Sequence, residues 1–185
     1  PVLDVGCGIG DVSRFLVDLG FKQIDAVDFS EMIKIAKEAN PHQQIRYISS
    51  SAQCYLVDKK YDLIISSVVF SMIRDIPKML KAINNCITMV RKGGYILMID
   101  AFHKSNLLAR AKISADEAIE YMEKRGLILV EKDDMLFYPL RILISNDKTL
   151  TEYQTKVLFN IGESMLAKLG KHMWSDYKIL LFKKA

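Results

Sequence analysis

The stretch Val2-Leu3-Asp4-Val5-Gly6-Cys7-Gly8-Ile9-Gly10 decides the fold of this chain. Its first four residues are mostly apolar and predict a short buried strand that ends at Val5. Three glycines follow at once, and glycine adopts backbone conformations that other residues avoid while leaving no side chain in the way. Apolar residues then recur at helical spacing from Val12 to Leu19. A strand, a glycine turn and a helix in this order predict a turn whose free backbone N–H groups face a ligand.

A second short strand, Ile24–Val27, ends at Asp28, which stands about 18 residues after Gly10. The carboxyl ends of neighbouring parallel strands share one edge of a sheet, so we expect Asp28 to lie beside the glycine turn. A carboxylate at this place can accept hydrogen bonds from the two hydroxyls of a ribose. The sequence therefore predicts a nucleoside-binding edge.

The spacing of the glycines distinguishes between two kinds of nucleoside. Dinucleotide-binding turns usually carry Gly-x-Gly-x-x-Gly. Here the third glycine, Gly10, comes one residue early, and Asp11 takes the later position. An acidic side chain at this helix start is unfavourable beside a pyrophosphate, whereas a sulfonium ligand with a free amino group tolerates carboxylates. This favours an aminoacyl nucleoside over NAD.

Four blocks of the sequence, in this order, resemble the class I S-adenosylmethionine-dependent methyltransferases, and within them the small-molecule enzymes of the ubiquinone and menaquinone biosynthesis type. The blocks are Val2–Gly10, Ala26–Ser30, Tyr61–Ser67 and Arg91–Leu97. The resemblance covers residues 1–135 and, beyond them, only a final strand. It implies S-adenosyl-L-methionine as cofactor, with S-adenosyl-L-homocysteine as product. It also implies methyl transfer to O, N or C of a small molecule, with apolar or lipid-linked acceptors among the candidates.

Strands and helices alternate along the chain, which favours right-handed crossovers and a mainly parallel sheet. The predicted strands are Val2–Val5, Ile24–Val27, Ile45–Ile48, Leu63–Ser66, Tyr95–Asp100, Leu127–Met135 and Tyr177–Phe182. The predicted helices are Asp11–Leu19, Glu31–Asn40, Ile76–Val90, Ser114–Lys124 and Leu150–Leu169. We expect Ser30 to cap the second helix, and Ser114 to form a capping box with Glu117 at the fourth.

The resemblance implies a Rossmann-like α/β fold with helices on both faces of a seven-stranded, mostly parallel sheet. Its strand order is 3-2-1-4-5-7-6, and the last strand is antiparallel. We expect residues 1–185 to form a single domain, with residues 140–174 as a helical insertion before the last strand. Family members usually carry a helix upstream of the first strand. Pro1 leaves no room for it, so we expect this upstream helix to be missing from the sequence.

The insertion allows two interpretations. Several of its apolar residues fall on one helical face, which either packs on the domain's own core or forms a lid or lipid-facing flap over an apolar substrate. The residues of this face are Val157, Leu158, Ile161, Met165, Leu166 and Leu169, with Phe159, Met173 and Trp174 nearby.

The resemblance also implies roles for individual residues near the amino terminus. Asp4 would approach the methionine amino group, and the backbone of Gly6, Cys7, Gly8 and Gly10 would pass under the methionine and ribose. Asp28 would bind the ribose hydroxyls, and Phe29 would lie against the adenine. The alternative for Asp4 is a capping or turn carboxylate.

At the adenine end the chain departs from the commoner family pattern. The segment after the third strand contains Ser51, Ala52 and Gln53, so a serine takes the place of an aspartate that binds the exocyclic amine. A neutral acceptor is weaker than a carboxylate, so the affinity for the cofactor could be lowered, or Gln53 could substitute. The alternative is a polar loop without a binding role.

On the acceptor side, Ser66 and Ser67 occupy the position where family members place a backbone carbonyl near the sulfur. The apolar residues that follow, Val68, Val69, Phe70 and Met72, suit an uncharged acceptor as well as they suit a core. The motif Asn/Asp-Pro-Pro-Tyr/Phe is missing from this position, which disfavours methylation of adenine or cytosine in DNA.

His103 follows the fifth strand at the expected ligand edge and is the candidate general base, because the imidazole pKa lies near neutrality. The alternative is an exposed loop histidine. Asp100 closes the same strand, and further residues could reach the pocket if the insertion folds over it. These are Tyr138, Arg141 and Tyr153.

The composition excludes several classes of protein. A net charge of +4 without a basic, aromatic stripe argues against nucleic acid as a partner. The three cysteines lie far apart and predict reduced thiols, with neither a disulfide framework nor a metal site. Since no apolar run reaches the roughly 20 residues of a membrane span, we expect a cytoplasmic protein with at most peripheral membrane contact through the insertion.

Three functions remain open at this point. The first is a methyltransferase that acts on a small molecule. The second is a catalytically inactive scaffold module that binds S-adenosylmethionine, which the serine at position 51 motivates. The third, an NAD-dependent oxidoreductase, is disfavoured by Gly10 and Asp11.

Overall fold

The computed structural model describes residues 1–102, 113–134, 149–169 and 177–185. Its strands are β1 (Val2–Val5), β2 (Ile24–Asp28), β3 (Ile45–Ser49), β4 (Tyr61–Ser67), β5 (Val90–Ala101), β6 (Leu127–Asp134) and β7 (Tyr177–Lys184). Its helices are α1 (Asp11–Asp18), α2 (Ser30–Ala39), α3 (Ile76–Met89), α4 (Ala115–Glu123) and α5 (Glu152–Leu169), with a 3₁₀ turn at Phe70–Met72.

The seven strands form one sheet in the order β3-β2-β1-β4-β5-β7-β6. Strands β1 to β5 pair in parallel, whereas β7 is antiparallel to both β5 and β6. The fold class and strand order predicted from the sequence are therefore confirmed. The order places β1 between β2 and β4, so the residues after β1 lie at the centre of the sheet edge where ligands bind in open α/β folds.

Strand β1 is buried at all four of its residues because helices cover both faces of the sheet. One core cluster includes Leu3, Ile64 and the buried face of α3. The other includes Val2, Ile24 and Leu16 of α1. The central strands therefore have little freedom to move, and the turns at their carboxyl ends are held on a rigid base.

A buried carboxylate ties three strands together. Asp25 of β2 accepts two hydrogen bonds from Arg46 of β3, at 2.9 Å each, and one of 2.6 Å from the Tyr61 hydroxyl of β4. Lys59 adds a fourth bond at 2.8 Å. Burial alone would raise the pKa of Asp25, but these four bonds outweigh it and lower the pKa below its usual value.

Most predicted element ends are correct to within two residues, and the exceptions have local causes. Strand β5 begins at Val90, five residues before the predicted Tyr95, because Val90 already pairs with Tyr61. The cap predicted at Ser30 is wrong. Phe29 precedes the helix, and no side chain caps it. The capping box of Ser114 and Glu117 is confirmed, with bonds of 2.8 and 3.2 Å.

Helix α5 lies within the insertion predicted at residues 140–174. The three residues of its predicted apolar face whose side chains the structure describes are exposed by 37–51%. These are Val157, Leu158 and Ile161. For this part of the helix, packing on the domain's own core is therefore not observed. Among the helices of the described ranges, none has the length and apolarity to cross a membrane.

Candidate functional site

The first glycine turn is tied to β2 and touches the segment after β4. The backbone N–H groups of Gly6 and Cys7 donate to the Val27 carbonyl at 2.8 and 3.1 Å. Gly6 has φ +71°, and a Cβ at this position would lie 2.3 Å from Cγ2 of Val69. Only glycine fits here, because both the backbone conformation and the contact with Val69 exclude a side chain.

The two other glycines differ in what surrounds them. Gly8 has φ +53°, and a Cβ would meet nothing within 4 Å. Gly10 has φ +89°, and a Cβ would lie 2.6 Å from the Tyr47 hydroxyl of β3. The early third glycine therefore has a packing reason, which is that Tyr47 lies against the start of α1.

Asp28 lies at the carboxyl end of β2 with both carboxylate oxygens fixed. The Gly8 N–H donates to Oδ2 and the Phe29 N–H donates to Oδ1, both at 2.7 Å. The first bond joins the end of β2 to the glycine turn after β1. Each oxygen keeps a further lone pair, so the carboxylate can still accept hydrogen bonds from a ligand.

Asp4 lies in β1 below this turn and is 1% exposed. Its Oδ2 accepts a hydrogen bond of 2.6 Å from the Ser13 hydroxyl of α1. Burial raises the pKa of Asp4 to about 6; the charge of Asp28 adds to the rise and the Ser13 bond opposes it. Burial, with the charges of Asp4 and Asp28, also raises the pKa of Cys7 to about 12, so Cys7 stays a neutral thiol.

A cavity of about 390 Å³ opens at the carboxyl ends of β1, β2 and β4. It has a polar side from residues 50–53 and an apolar side from the segment after β4, with Asp28 and Gly6 between them. The lining residues are Gly6, Val27, Asp28, Phe29, Ser50, Ser51, Ala52, Gln53, Val68, Val69, Met72 and Ile73. Phe29 and Met72 are more than 60% exposed and offer apolar surface at the rim.

The cavity brings together six of the eleven residues predicted from the sequence to bind the cofactor. Gly6, Asp28, Phe29 and Ser51–Gln53 all line it. The structure places the others outside the lining: Asp4 and Cys7 are buried, and Gly8, Gly10 and Ser67 lie in the adjoining turns and strand end. His103, Tyr138 and Arg141 lie outside the described residues. Tyr153 is on α5 and is 76% exposed.

The apolar side of the cavity begins at a strained residue. Val68 has φ +57°, which a β-branched residue rarely adopts, and its N–H donates to the Ile99 carbonyl of β5 at 2.7 Å. Such strain persists only where the surroundings hold it in place.

Asp100 is one of the groups that hold this segment. It is fully buried at the end of β5, and its Oδ2 accepts the N–H groups of Val69 at 3.0 Å and Phe70 at 2.7 Å. The Ser71 N–H lies at 3.3 Å from both oxygens. Burial raises the pKa of Asp100, and these bonds oppose the rise. The Asp100 side chain therefore supports the backbone of the apolar side, with Phe70 packed in the core.

Asn85 of α3 holds the polar side in a similar way. Its amide nitrogen lies 3.4 Å from the Ala52 carbonyl, 3.2 Å from the Gln53 carbonyl and 3.1 Å from the Tyr55 carbonyl. Sequence reasoning missed Asn85, because nothing in a helical pattern distinguishes an asparagine that contacts a loop about 30 residues away.

The cavity has the size and the chemistry of a small-ligand site. The cavity volume lies within the roughly 300–1,000 Å³ of small-ligand sites, and it combines a fixed carboxylate, an exposed aromatic ring and a polar segment. Within the described ranges, no group of three or more His, Cys, Asp or Glu side chains could hold a metal ion. Ligand recognition here would use hydrogen bonds and apolar contact.

Comparison with known proteins agrees with this geometry. The family model described as a methyltransferase domain matches residues 3–98.

Three relatives are similar in sequence. The ribosomal protein L11 methyltransferase of Ruminiclostridium cellulolyticum is 27% identical over 140 residues, which are 72% of this chain and 40% of that protein. Malonyl-[acyl-carrier protein] O-methyltransferase 1 of Ilyobacter polytropus is 30% identical over 138 residues, which are 72% and 49% of the two chains.

The third relative is the ubiquinone biosynthesis O-methyltransferase of Coxiella burnetii, which is 26% identical over 164 residues, covering 76% of this chain and 68% of that protein. The chain thus spans about half the length of the first two relatives. Among solved structures, the N-methyltransferase NodS of Bradyrhizobium japonicum in complex with S-adenosyl-L-homocysteine matches 99% of this chain and 76% of its own. The TM-score is 0.69 at 16% identity, so the two proteins share a fold.

Proposed function

This chain belongs to the methyltransferase domain family, and we propose that it transfers a methyl group from S-adenosyl-L-methionine to O, N or C of a small molecule. The family resemblance predicted from the four sequence blocks is confirmed. The observation that carries the proposal is the position of Asp28, whose carboxylate is fixed at the cavity by the Gly8 and Phe29 N–H groups.

The cavity offers groups for the ribose and the base of the cofactor, and the group proposed for the methionine, Asp4, lies buried outside the lining. Asp28 would accept hydrogen bonds from the ribose hydroxyls, and Phe29 would lie against the base. Ser51 and Gln53 would supply neutral hydrogen-bonding groups at the edge of the base. Asp4 lies on the strand next to that of Asp28 and would approach the methionine amino group through a hydrogen bond or a water.

The chain's own residues would position the reacting groups and exclude water from them. When bound, S-adenosyl-L-methionine supplies an electrophilic methyl group on a sulfonium. Val68, Val69 and Met72 line the side of the cavity across from Ser51 and Gln53 and would exclude water from the acceptor. Asp100 would keep that side in place, so that the attacking atom meets the methyl group in line. We retain His103 as the proposed base for acceptors that must lose a proton.

We propose an acceptor that is small and largely uncharged. The residues lining the cavity after β4 are all apolar, namely Val68, Val69, Met72 and Ile73. Two of the relatives are named for acyl-carrier-bound malonate and for ubiquinone biosynthesis, which supports a small or carrier-bound acceptor. The relative named for ribosomal protein L11 supplies the competing class, a protein acceptor.

Binding and transfer are tested separately. Calorimetric titration with S-adenosyl-L-homocysteine measures binding to the wild type, to Asp28→Ala and to Asp18→Asn. Asp18 is an exposed carboxylate paired with Arg14 and serves as the control. We expect Asp28→Ala to lose at least about tenfold in affinity and the control to lose none, since two charge-assisted bonds would disappear. Equal affinity in all three proteins would contradict the assigned site.

Transfer is measured with methyl-labelled S-adenosyl-L-methionine and three acceptor sets: hydroxylated quinone-ring precursors, malonyl-carrier thioesters and ribosomal protein L11. Label in the first set supports the proposal, whereas label only in the malonyl thioester, which ends in a carboxylate, would contradict an uncharged acceptor. Label only in the protein would overturn the small-molecule assignment. Binding without transfer to any of them would favour the inactive scaffold.

We further propose that residues 1–185 form one domain with residues 140–174 as its insertion. We also propose a reducing, cytoplasmic setting, and no nucleic acid as a partner. Helix α5 within the insertion and the three free cysteines support this arrangement. A single, coincident unfolding transition by near- and far-ultraviolet circular dichroism tests the single domain.

A further inference from the structure

The polar side of the cavity depends on a side chain that does not line it. The segment Ser51–Tyr55 closes on itself through one acceptor, since the N–H groups of Cys54 and Tyr55 both donate to the Ser51 carbonyl, at 3.0 and 2.9 Å. Asn85 then approaches the carbonyls of Ala52, Gln53 and Tyr55 from α3.

Asn85 is suited to this contact by chemistry and by burial. Its side chain is an amide with two N–H donors, and the residue is 7% exposed. The 14-residue helix α3 packs on the core through much of its length, so the amide is held on a rigid element. A side chain without donors would leave three backbone carbonyls without this partner, and the loss is costly above all at the buried contact with the Tyr55 carbonyl. The shape of Ser51–Tyr55 is therefore coupled to α3 through this one amide.

We propose that Asn85 is a positioning residue for the base of the bound nucleoside, which it serves by fixing Ser51–Gln53 in the binding conformation. The inference rests on the proposed function and deepens it. At this position the chain offers Ser51 and Gln53 in place of a carboxylate, and neutral groups bind more weakly than charged ones. Weak hydrogen bonds gain most from groups that are ordered before the ligand arrives, because less entropy is lost on binding.

The test compares two asparagines that are neighbours on α3. Asn85→Ala removes the contact with the loop. Asn84→Ala is the matched control, because Asn84 accepts a hydrogen bond of 3.0 Å from Arg125 and does not line the cavity. Calorimetric titrations use S-adenosyl-L-homocysteine and adenosine, at a temperature well below the Tm of each variant. We expect Asn85→Ala to weaken both ligands by about tenfold, the equivalent of one to two hydrogen bonds, and Asn84→Ala to change them by less than about twofold.

Amide hydrogen exchange of the ligand-free proteins supplies a readout that a general loss of stability would not produce. We expect faster exchange confined to residues 51–55 in Asn85→Ala, with α3 itself and the β1–β2 region unchanged. Should Asn85→Ala fail to fold, Asn85→Ser takes its place, because serine retains one donor. We expect it to show a smaller loss of affinity and a smaller rise in exchange at residues 51–55.

The outcomes separate the inference from the function on which it rests. Unchanged affinities and unchanged exchange in Asn85→Ala would overturn the inference while the function stands. Equal losses in Asn84→Ala and Asn85→Ala would overturn it as well, because the effect would then belong to the helix. A wild-type protein that binds neither ligand would overturn the proposed function and this inference together.

Discussion

Asp4 is a carboxylate that the fold makes unfavourable to ionise. Its pKa of about 6 lies above the ordinary value of 3.8, chiefly because the residue is buried. Asp4 therefore becomes protonated at a higher pH in the folded protein than in the unfolded chain. The resulting penalty on folding is complete above pH 6 and disappears as the pH falls through 6 towards 4. A shift of this size corresponds to about 3 kcal/mol at most.

We expect Asp4→Asn to show this penalty directly. Asparagine has the same shape and can still accept the Ser13 hydrogen bond, but it does not ionise. The stability of the variant relative to the wild type should rise between pH 5 and pH 8 by about 1–1.5 kcal/mol. Urea unfolding across this range measures the difference, and a difference that is constant with pH would contradict the assignment.

Gly10 and Gly8 form a natural pair for measuring a packing contact. Both have positive φ, but only at Gly10 would a Cβ meet another side chain, the Tyr47 hydroxyl at 2.6 Å. We expect Gly8→Ala to destabilise the ligand-free protein by about 1 kcal/mol, from backbone strain alone. Gly10→Ala should lose about 1–3 kcal/mol more, because Tyr47 must also move. Denaturant midpoints of the two variants give the comparison. Equal losses of stability would show that the Tyr47 side chain moves aside without cost.

At the scale of the strands, the Asp25 network fixes the spacing of β2, β3 and β4 at the end of the sheet away from the cavity. Its carboxylate has a lowered pKa, so its contribution to stability is present above the unfolded-state pKa and is lost as the pH falls through the folded-state value. Neutralising Asp25 leaves Arg46 and Lys59 accessible to water, since they are 63% and 37% exposed, so the expected cost is only part of the roughly 3–5 kcal/mol of a fully buried pair.

We expect Asp25→Asn to be destabilised by about 2–4 kcal/mol at pH 7 and to lose less stability than the wild type on acidification below pH 4. Asp18→Asn is the control, since its exposed ion pair with Arg14 should change stability by less than about 1 kcal/mol. If the free energy of unfolding falls equally steeply below pH 4 in the wild type and in Asp25→Asn, another carboxylate causes the loss of stability in acid.

The elements themselves were predictable because their signals are local. Apolar runs, glycine turns and the Ser114 box each lie within a few neighbouring residues, and the strands and helices form where these signals indicate. The supports of the site are different. Asp100 and the Phe70 N–H are 30 residues apart, and Asn85 and the Tyr55 carbonyl are also 30 apart. Such contacts arise only when the sheet is assembled, so single-sequence patterns predict the cavity's position but not what holds its sides.

For the whole molecule, the cavity lies across β1, β2 and β4, so a ligand that binds there connects the centre of the sheet to both bordering segments. A ligand that binds only the folded state stabilises it by about 2.7 kcal/mol at one hundred times Kd. For a chain of 185 residues this raises Tm by about 5–10 °C.

We therefore expect S-adenosyl-L-homocysteine at that concentration to raise Tm by about 5–10 °C in the wild type and in Asp18→Asn. Asp28→Ala at the same ligand concentration should show at most about half of this shift, because a tenfold higher Kd leaves a stabilisation of about 1.4 kcal/mol. NADH should give no shift in any of the three proteins, since Gly10 and Asp11 depart from the dinucleotide spacing. Scanning calorimetry measures all three, and a shift with NADH that Asp28→Ala abolishes would reassign this cavity to a dinucleotide.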